Sequence, residues 1–483
     1  MQLGRWIHTS TLLVGLSFLL GGCASVSPTS NALDQLLADP ALQGATVSLM
    51  VRDARSGNTL YQHNPRTRLV PASNLKLLTT AAAMDVLGPQ YRFATQLLSN
   101  GIRQGDRLTG NLYLRGLGDP TIQFADYQAL AAQLASQGVR QVQGDLVFDD
   151  TWFDAERLGV DWSHDDETTY YGAQISALTV SPNSDFDAGS VLVTAKAPVR
   201  VGVPVNVEIF PPTDYLQLSN RAVSGPGNTY GINRRHGTNL LQLSGAVAPG
   251  RQSPQLVSVW EPTQLVANLF EQALKQQGIT VLGRRVMGAT SPAGVTVLAE
   301  HQSAPLQELI TPLLKLSNNN MSEALLKAMG RQTANSGTAA AGAMAVAGFL
   351  KRQGVDTATL KQVDGSGLSR QNLVSAQTLT DLLLAASKQP WFNAWYNALP
   401  IAGNTDRMTG GSLTYRLRGT PAENNLHAKT GSMGGVSSLS GYITDAHGRQ
   451  LVFSMLSNNY VVAGAQVKAL ENRVAVALSR WGD

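Results

Sequence analysis

The stretch RLVPASNLKLLTTAAAM, Arg68 to Met84, runs from a proline turn into a segment whose apolar residues Leu77, Leu78, Ala81 and Met84, continued by Leu87, keep helical spacing. The spacing predicts a largely buried helix with Ser73 and Lys76 at its mouth. A serine just before an apolar run commonly caps the helix. The same serine, with a lysine three positions on and on the same face, is also a nucleophile beside its own base. Taken alone, the stretch leaves both readings open.

Working outward, ATVSLMVRDARSGNTLYQHN reads as two strands around the turn Ser56-Gly57-Asn58. From about Arg92 to about His301 the texture changes to short alternating runs such as GNLYLRG, GDLVFDD and NLLQLSGAV, separated by Gly, Pro and Asn. That pattern predicts a β-rich block, one domain nested in another. Helical texture returns with LQELITPLLKL, MSEALLKAMGRQ and TAAAGAMAVAGFLKRQG. A hairpin turning near His447-Gly448 and a helix carrying Val467, Leu470, Val474 and Leu478 on one face follow. The expected division is a catalytic domain built from residues 33–90 and 300–483, with residues 91–299 inserted as β-rich material.

The 483 residues exceed one ordinary core. With 43% hydrophobic and 14% charged residues they describe a folded body, and a net charge of +4 without a basic run argues against nucleic acid as a partner. Arg5 precedes the apolar TLLVGLSFLLGG, too short to span a bilayer and suited to a secretory signal over residues 1–22. The single cysteine, Cys23, excludes an internal disulfide and a cysteine metal cluster. Leu20-Gly21-Gly22-Cys23 resembles a lipoprotein signal, which makes Cys23 a lipidation candidate; plain cleavage after Ala24 is the alternative. Residues 23–32, polar and rich in Pro and Ser, read as a tether. The chain is therefore expected to be exported and periplasmic, with a lipid on Cys23 as its membrane link.

The seven histidines include no H-x-H or H-E-x-x-H, so no metal or other cofactor is expected. G-x-S-x-G and the Walker A pattern are absent as well. A serine that attacks a carbonyl needs a base, an oxyanion hole and a cation for an anionic substrate. A lysine base must lose its proton near neutrality, which burial and a second cation both favour. The chain offers that second cation and a second hydroxyl. LLKLSNNNMSEALLK sets Ser317 and Asn319 in a break between helical runs, and NNLHAKTGSMGGVSSLSGYI sets Lys429-Thr430-Gly431 at the start of a strand. S-x-x-K, S-x-N and K-T-G in this order are the motif set of active-site serine β-lactamases and penicillin-binding proteins. Ser181-Pro-Asn183 and Ser457-Asn-Asn459 also match S-x-N, but the first carries a proline within the motif and the second follows K-T-G.

Beyond these motifs the chain carries GLGDPTI (Gly116 to Ile122), DGSGLSR (Asp364 to Arg370), LPIAG (Leu399 to Gly403) and LSNNY (Leu456 to Tyr460). With them it resembles, over its whole mature length, the class C low-molecular-mass penicillin-binding proteins, the D-alanyl-D-alanine carboxypeptidase/endopeptidase family. The resemblance implies an α/β (α+β) serine β-lactamase/transpeptidase-like domain with inserted β-rich domains. It implies peptidoglycan peptides as substrates and β-lactam antibiotics as covalent inhibitors. Two departures are small: Asn318 stands where many members have Asp, and NTDRMTGGSL is longer than the usual link after LPIAG.

Residue by residue, the resemblance makes Ser73 the nucleophile, Lys76 its base and Ser317 the proton carrier to the leaving amine, in a network polarised by Lys429. Asn319 would bind the substrate amide and Lys76. Thr430 and Lys429 would hold the terminal carboxylate, and the backbone N–H groups of Ser73 and Ser432, the residue after Gly431, would form the oxyanion hole. Asp150, Arg370 and Met433 match the family's pocket for a diaminopimelate side chain. Two rivals are weighed against this reading. A β-lactamase or esterase on the same fold would carry a Tyr-x-Asn or Glu-x-x-x-Asn for fast deacylation, and none of the 12 tyrosines or any glutamate begins one. A catalytically idle cell-wall-binding lipoprotein would not need the full catalytic set.

Overall fold

The computed structural model describes residues 28–482. Its central five-stranded sheet has the order Thr59–His63, Thr46–Asp53, Gln450–Asn458, Val436–Thr444, His427–Met433, with every pair antiparallel. The first and last parts of the chain thus meet in one sheet, Thr46 lying opposite Asn458. The two central strands are buried on both faces, and alternation sorts their side chains between two cores. Leu439, Ile443, Leu451, Phe453 and Met455 face one core together with Val467 and Leu470 of the helix Gly464–Ser479. Tyr442, Val452 and Leu456 face the other, with Leu379 and Leu383 of the helix Ala376–Ala386. A slip of one residue would exchange the two sets, so the burial pattern pins the register.

The second core also takes the helices Leu75–Val86, Leu306–Leu316, Asn319–Ala334 and Ala339–Arg352. Residues 75–84 of the first of these are buried without exception, which makes it the central rod of the helical layer.

Residues from 94 to 302 form further sheets around a third core. One has the order Arg285–Met287, Leu146–Asp149, Leu112–Gly116, Ala94–Ser99, Thr296–Gln302; another pairs Asn206–Phe210, Ser190–Lys196 and Gln252–Ser258. This region is less purely β than its alternating runs suggest. The helices Phe124–Ser136 and Pro262–Gln276 supply much of its core through Leu130, Leu134, Leu265, Leu269 and Phe270. Nor does the middle segment keep to itself: Phe153, Ile175 and Ala177 pack into the helical core, and Lys327 pairs with Asp154.

The polar stretch read as a tether is helical from residue 28 onward. Leu33, Leu36 and Leu37, at i, i+3 and i+4 of the helix Pro28–Leu37, form a stripe packed with the Gly464–Ser479 side of the sheet. The signal segment 1–22 and the lipidation candidate Cys23 lie outside the described residues. Among the described residues no helix is long and apolar enough to cross a membrane.

Candidate active site

Ser73 sits in a single 3-10 turn, Ala72–Asn74, that feeds directly into the helix Leu75–Val86. Side chains at i and i+3 eclipse in such a turn, which brings Ser73 and Lys76 to one side. Neither the turn nor the helix has a side-chain cap, so capping is not the use of the Ser73 hydroxyl. Ala72 has φ +47, a left-handed conformation that costs energy for a residue with a Cβ. Its carbonyl packs so closely on Gly367 that a Cβ there would come within 1.9 Å. Two residues a little before Ser73 are held from a distance as well: Ser438 Oγ donates to the Pro71 carbonyl at 2.7 Å, and Asn458 bridges both polar groups of Val70.

Lys76 is fully buried. Its Nζ lies 3.1 Å from Ser73 Oγ and donates to Asn319 Oδ1 and the Ser366 carbonyl, both at 2.7 Å. Burial pushes the ammonium down to about 7, against the opposing pull of Glu323 and Asp364. A proton acceptor poised near neutrality therefore touches the Ser73 hydroxyl. Glu323, buried at the centre of the helical layer, accepts the backbone N–H groups of Gly365 and Ser366 at 2.8 Å. Burial and the neighbouring Asp364 push its own carboxyl up to about 7.

Ser317 ends the helix Leu306–Leu316 in a left-handed conformation, φ +61, which turns the chain sharply before the next helix begins at Asn319. Asn318 caps that next helix, its Oδ1 accepting from Met321 N at 3.0 Å, a role Asn fills as well as Asp. Lys429, also fully buried, donates to Ser317 Oγ at 2.9 Å and to the Thr430 carbonyl at 2.8 Å. Burial, with Lys76 nearby, holds its ammonium well below the usual lysine range. Two half-buried hydroxyls thus each rest on a fully buried lysine.

Thr430 Oγ1 is 2.7 Å from Ser412 Oγ. At Gly431 a Cβ would fall 2.3 Å from Ser438 Oγ, 2.7 Å from the Pro71 carbonyl and 3.0 Å from Ser73 N. Only glycine lets the edge strand His427–Met433 pass this close to the serine backbone. Ser432 is exposed at the same place. Beside the strand's far end, His427 stacks on Tyr396 at 4.2 Å and burial drives it down to about 4, a neutral packing residue.

A cavity of about 700 Å³ opens over Ser73, Ser317, Asn319 and Ser432, and Arg370 and Met433 also line it. Asp150 does not. Its carboxylate is buried, paired with Arg157 and accepting from Thr263 Oγ1 at 2.7 Å, so the expectation that it lines a substrate pocket is corrected. The acids that do line the cavity are Asp161, Asp165 and Asp166, joined by Trp162, Tyr170 and Tyr171. Sequence reasoning passed over these residues. Their segment, outside any strand apart from two short 3-10 turns, carries no periodic signal, and only its density of acids and aromatics hinted at a binding loop.

The sequence from 29 to 481 matches the model of the D-Ala-D-Ala carboxypeptidase 3 (S13) family. The chain belongs to that family. It is 43% identical, over 96% of its length and 88% of the relative's, to a D-alanyl-D-alanine carboxypeptidase of Actinomadura sp. (strain R39). It is 29% identical to D-alanyl-D-alanine carboxypeptidase DacB of Haemophilus influenzae, over 94% and 93% of the two chains. The crystal structure of penicillin-binding protein 4 from H. influenzae superposes with a TM-score of 0.81 at 26% identity, covering 93% of this chain and 99% of that one. The same protein complexed with a β-lactam gives 0.77 at 25% identity over the same shares.

The blocks DGSGLSR, LPIAG, LSNNY and GLGDPTI have visible work in this S13 chain. In DGSGLSR, Asp364 accepts the N–H groups of Gly367 and Ser369 at 2.9 and 2.7 Å, shaping the loop that offers the Ser366 carbonyl to Lys76. In LPIAG, the Leu399 carbonyl accepts from the buried Lys315. In LSNNY, Asn458 is the residue that grips Val70. GLGDPTI lies away from the serine: a Cβ at Gly116 would fall 2.1 Å from the Ala177 carbonyl, and Asp119 accepts the N–H and hydroxyl of Thr121.

Proposed function

We propose that the chain is a serine DD-peptidase that hydrolyses the terminal D-Ala-D-Ala bond of peptidoglycan peptides, and D-Ala-diaminopimelate cross-links, through an acyl-enzyme. The observation that carries the reading is the 3.1 Å contact between Ser73 Oγ and a buried Lys76 whose ammonium is pushed down to about 7. The edge strand His427–Met433 is paired on its outer side only at its start, by Pro400 and Ile401, and beyond that point an extended peptide adds as a further strand. The substrate's terminal carboxylate settles by Thr430 and Lys429, where it faces a buried cation.

Neutral Lys76 takes the Ser73 proton as Oγ attacks the penultimate D-Ala carbonyl carbon. The developing oxyanion is met by the backbone N–H groups of Ser73 and Ser432; one such donor is worth roughly 2.7–4 kcal/mol in other hydrolases. The C–N bond breaks as Ser317, relayed by the lysines, protonates the departing amine. Water then adds to the ester, returns the proton and frees Ser73. A side chain bearing both an ammonium and a carboxylate, as diaminopimelate does, finds Asp161, Asp165, Asp166 and Arg370 in the lining of one cavity.

Export through residues 1–22, with Cys23 lipidated, is the reading that suits a cell-wall substrate. It is tested by labelling the expressed protein with a radioactive fatty acid in Cys23→Ser and unaltered forms; equal labelling overturns it.

The catalytic reading is tested by the intact mass of the purified protein after benzylpenicillin, beside Ser73→Ala. A persistent single adduct, absent from the variant, is expected. Hydrolysed drug without an adduct would indicate a β-lactamase, and intact drug without an adduct an idle binding protein.

A further inference from the structure

No metal motif is legible in the sequence, yet the fold gathers His164, Glu167 and His236, with one ligand atom from each within 4.8 Å of the others. His164 opens the 3-10 turn His164–Asp166 and Glu167 closes it, so the two project to the same side. His236 comes from the turn between the strands Gly231–Arg234 and Leu240–Ser244. Its Nδ1 is 2.8 Å from Glu167 Oε2, and its ring centroid is 4.9 Å from that of His164.

We propose that these three side chains bind a divalent first-row transition ion, Zn²⁺ or one of similar preference, with solvent in the remaining position. Two imidazoles and a carboxylate are a donor set that zinc accepts, at about 2.0–2.2 Å from each ligand atom. The three donor atoms already lie within 4.8 Å of one another. The frame beneath them is already fixed. The Glu167 carbonyl accepts from Arg234 Nη2 at 2.8 Å and from Ser258 Oγ, and Arg234 N donates to Thr168 Oγ1 at 3.2 Å. Trp260 backs the cluster, 5.5 Å from the Arg234 guanidinium and 5.7 Å from the His236 ring. Both histidines are exposed, which leaves an entry path for the ion.

None of the three ligands lines the cavity over Ser73, so the ion takes no part in the chemistry there. Its place is a brace. Asp165 and Asp166, between the two ligands of the turn, do line that cavity, and Tyr171 donates to Asp166 at 2.9 Å. A bound ion adds a second tie between this acidic wall and the hairpin around His236, which Arg234 already joins from beneath. The binding itself is independent of how the catalytic serine is read.

The test is equilibrium dialysis of the tag-free protein, stripped with a chelator, against Zn²⁺, beside the double variant His164→Ala/His236→Ala and the single variant Glu167→Gln. One ion per wild-type chain is expected, with loss of that ion in the double variant and weaker binding in the single one. Co²⁺ in place of Zn²⁺ should give visible absorption that the double variant lacks. Mg²⁺, which prefers oxygen ligands, should not compete. An unchanged circular dichroism spectrum and melting temperature without metal establish that the exposed-site variants are folded. Absence of bound Zn²⁺ in the wild type, or equal binding by the folded double variant, overturns the proposal.

Discussion

The carboxylate of Glu323 accepts the backbone N–H of Ser366 at 2.8 Å, and the carbonyl of that same Ser366 accepts from Lys76 Nζ at 2.7 Å. A buried acid thus sets the position of Lys76, the base of the proposed mechanism. Glu323→Gln must turn an amide N–H towards one of two backbone donors, which leaves a buried group unsatisfied at about 1–3 kcal/mol. Its acylation rate by benzylpenicillin should fall about 10- to 100-fold, the range of supporting residues elsewhere, while Glu323→Asp, which keeps both acceptors, should recover part of it. A general loss of stability would instead lower the melting temperature of both variants alike without moving the pH profile of acylation.

That profile is the second expectation. Lys76 acts as base only when neutral, and its ammonium is pushed down to about 7. The acylation rate constant should therefore rise with pH through about 7 and level off above it. In the sign of linkage, a lysine with a folded value below its unfolded one disfavours the fold while it is protonated. This contribution to stability improves as pH rises from about 7 towards the unfolded lysine value of about 10.4. A stopped-flow acylation series from acid to alkaline pH checks the first point. A rate independent of pH across neutrality would contradict it.

Gly431 and Gly434 lie on the same edge and should respond differently. A Cβ at 431 meets Ser438 Oγ at 2.3 Å and the Pro71 carbonyl at 2.7 Å, and so forces the strand off the serine. A Cβ at 434 meets only the end of the Arg370 side chain, at 3.3 Å. Gly431→Ala should lose at least about 100-fold in acylation, comparable to losing one oxyanion donor. Gly434→Ala should stay within a few-fold of the parent. Penicillin binding followed by mass measures both.

Asp150 and Asp161 separate structure from recognition. Asp150→Asn breaks a buried pair with Arg157, and breaking such pairs costs up to about 3–5 kcal/mol. It should lower the melting temperature yet leave unchanged the ratio of rates on diaminopimelate-bearing and plain D-Ala-D-Ala peptides. Asp161→Asn, in the cavity wall, should lower that ratio with little effect on melting. Steady-state assays on the two peptide types, with calorimetry, decide between them.

Much of this organisation could be read from residues because the decisive patterns are local. Ser73 and Lys76 are one turn apart, Ser317 and Asn319 two positions apart, and Lys429 to Gly431 consecutive, so each motif announces itself. Asp150 misled because sequence shows an acid and not its partner: Arg157, seven residues on, neutralises it. The wall from Asp161 to Tyr171 stayed hidden because non-repetitive loops have no period, and the meeting of His164 with His236 depends on a tertiary contact between distant turns. The helix Pro28–Leu37 was masked by its polar residues, although Leu33, Leu36 and Leu37 carried its stripe. Two helices in the middle were passed over for the same reason: Gly, Pro and Asn around them suggested strands and turns.

The grip of Asn458 on Val70 spans 388 positions of sequence. The serine is therefore synthesised early and made competent late, when the final strands pair beside it. Contacts of such separation form slowly, because long loops must close before they reward the chain. A nascent or clipped polypeptide that ends before this strand carries Ser73 without the contact that holds Val70 beside it. The surroundings of Ser73 are completed only when the last part of the molecule has arrived.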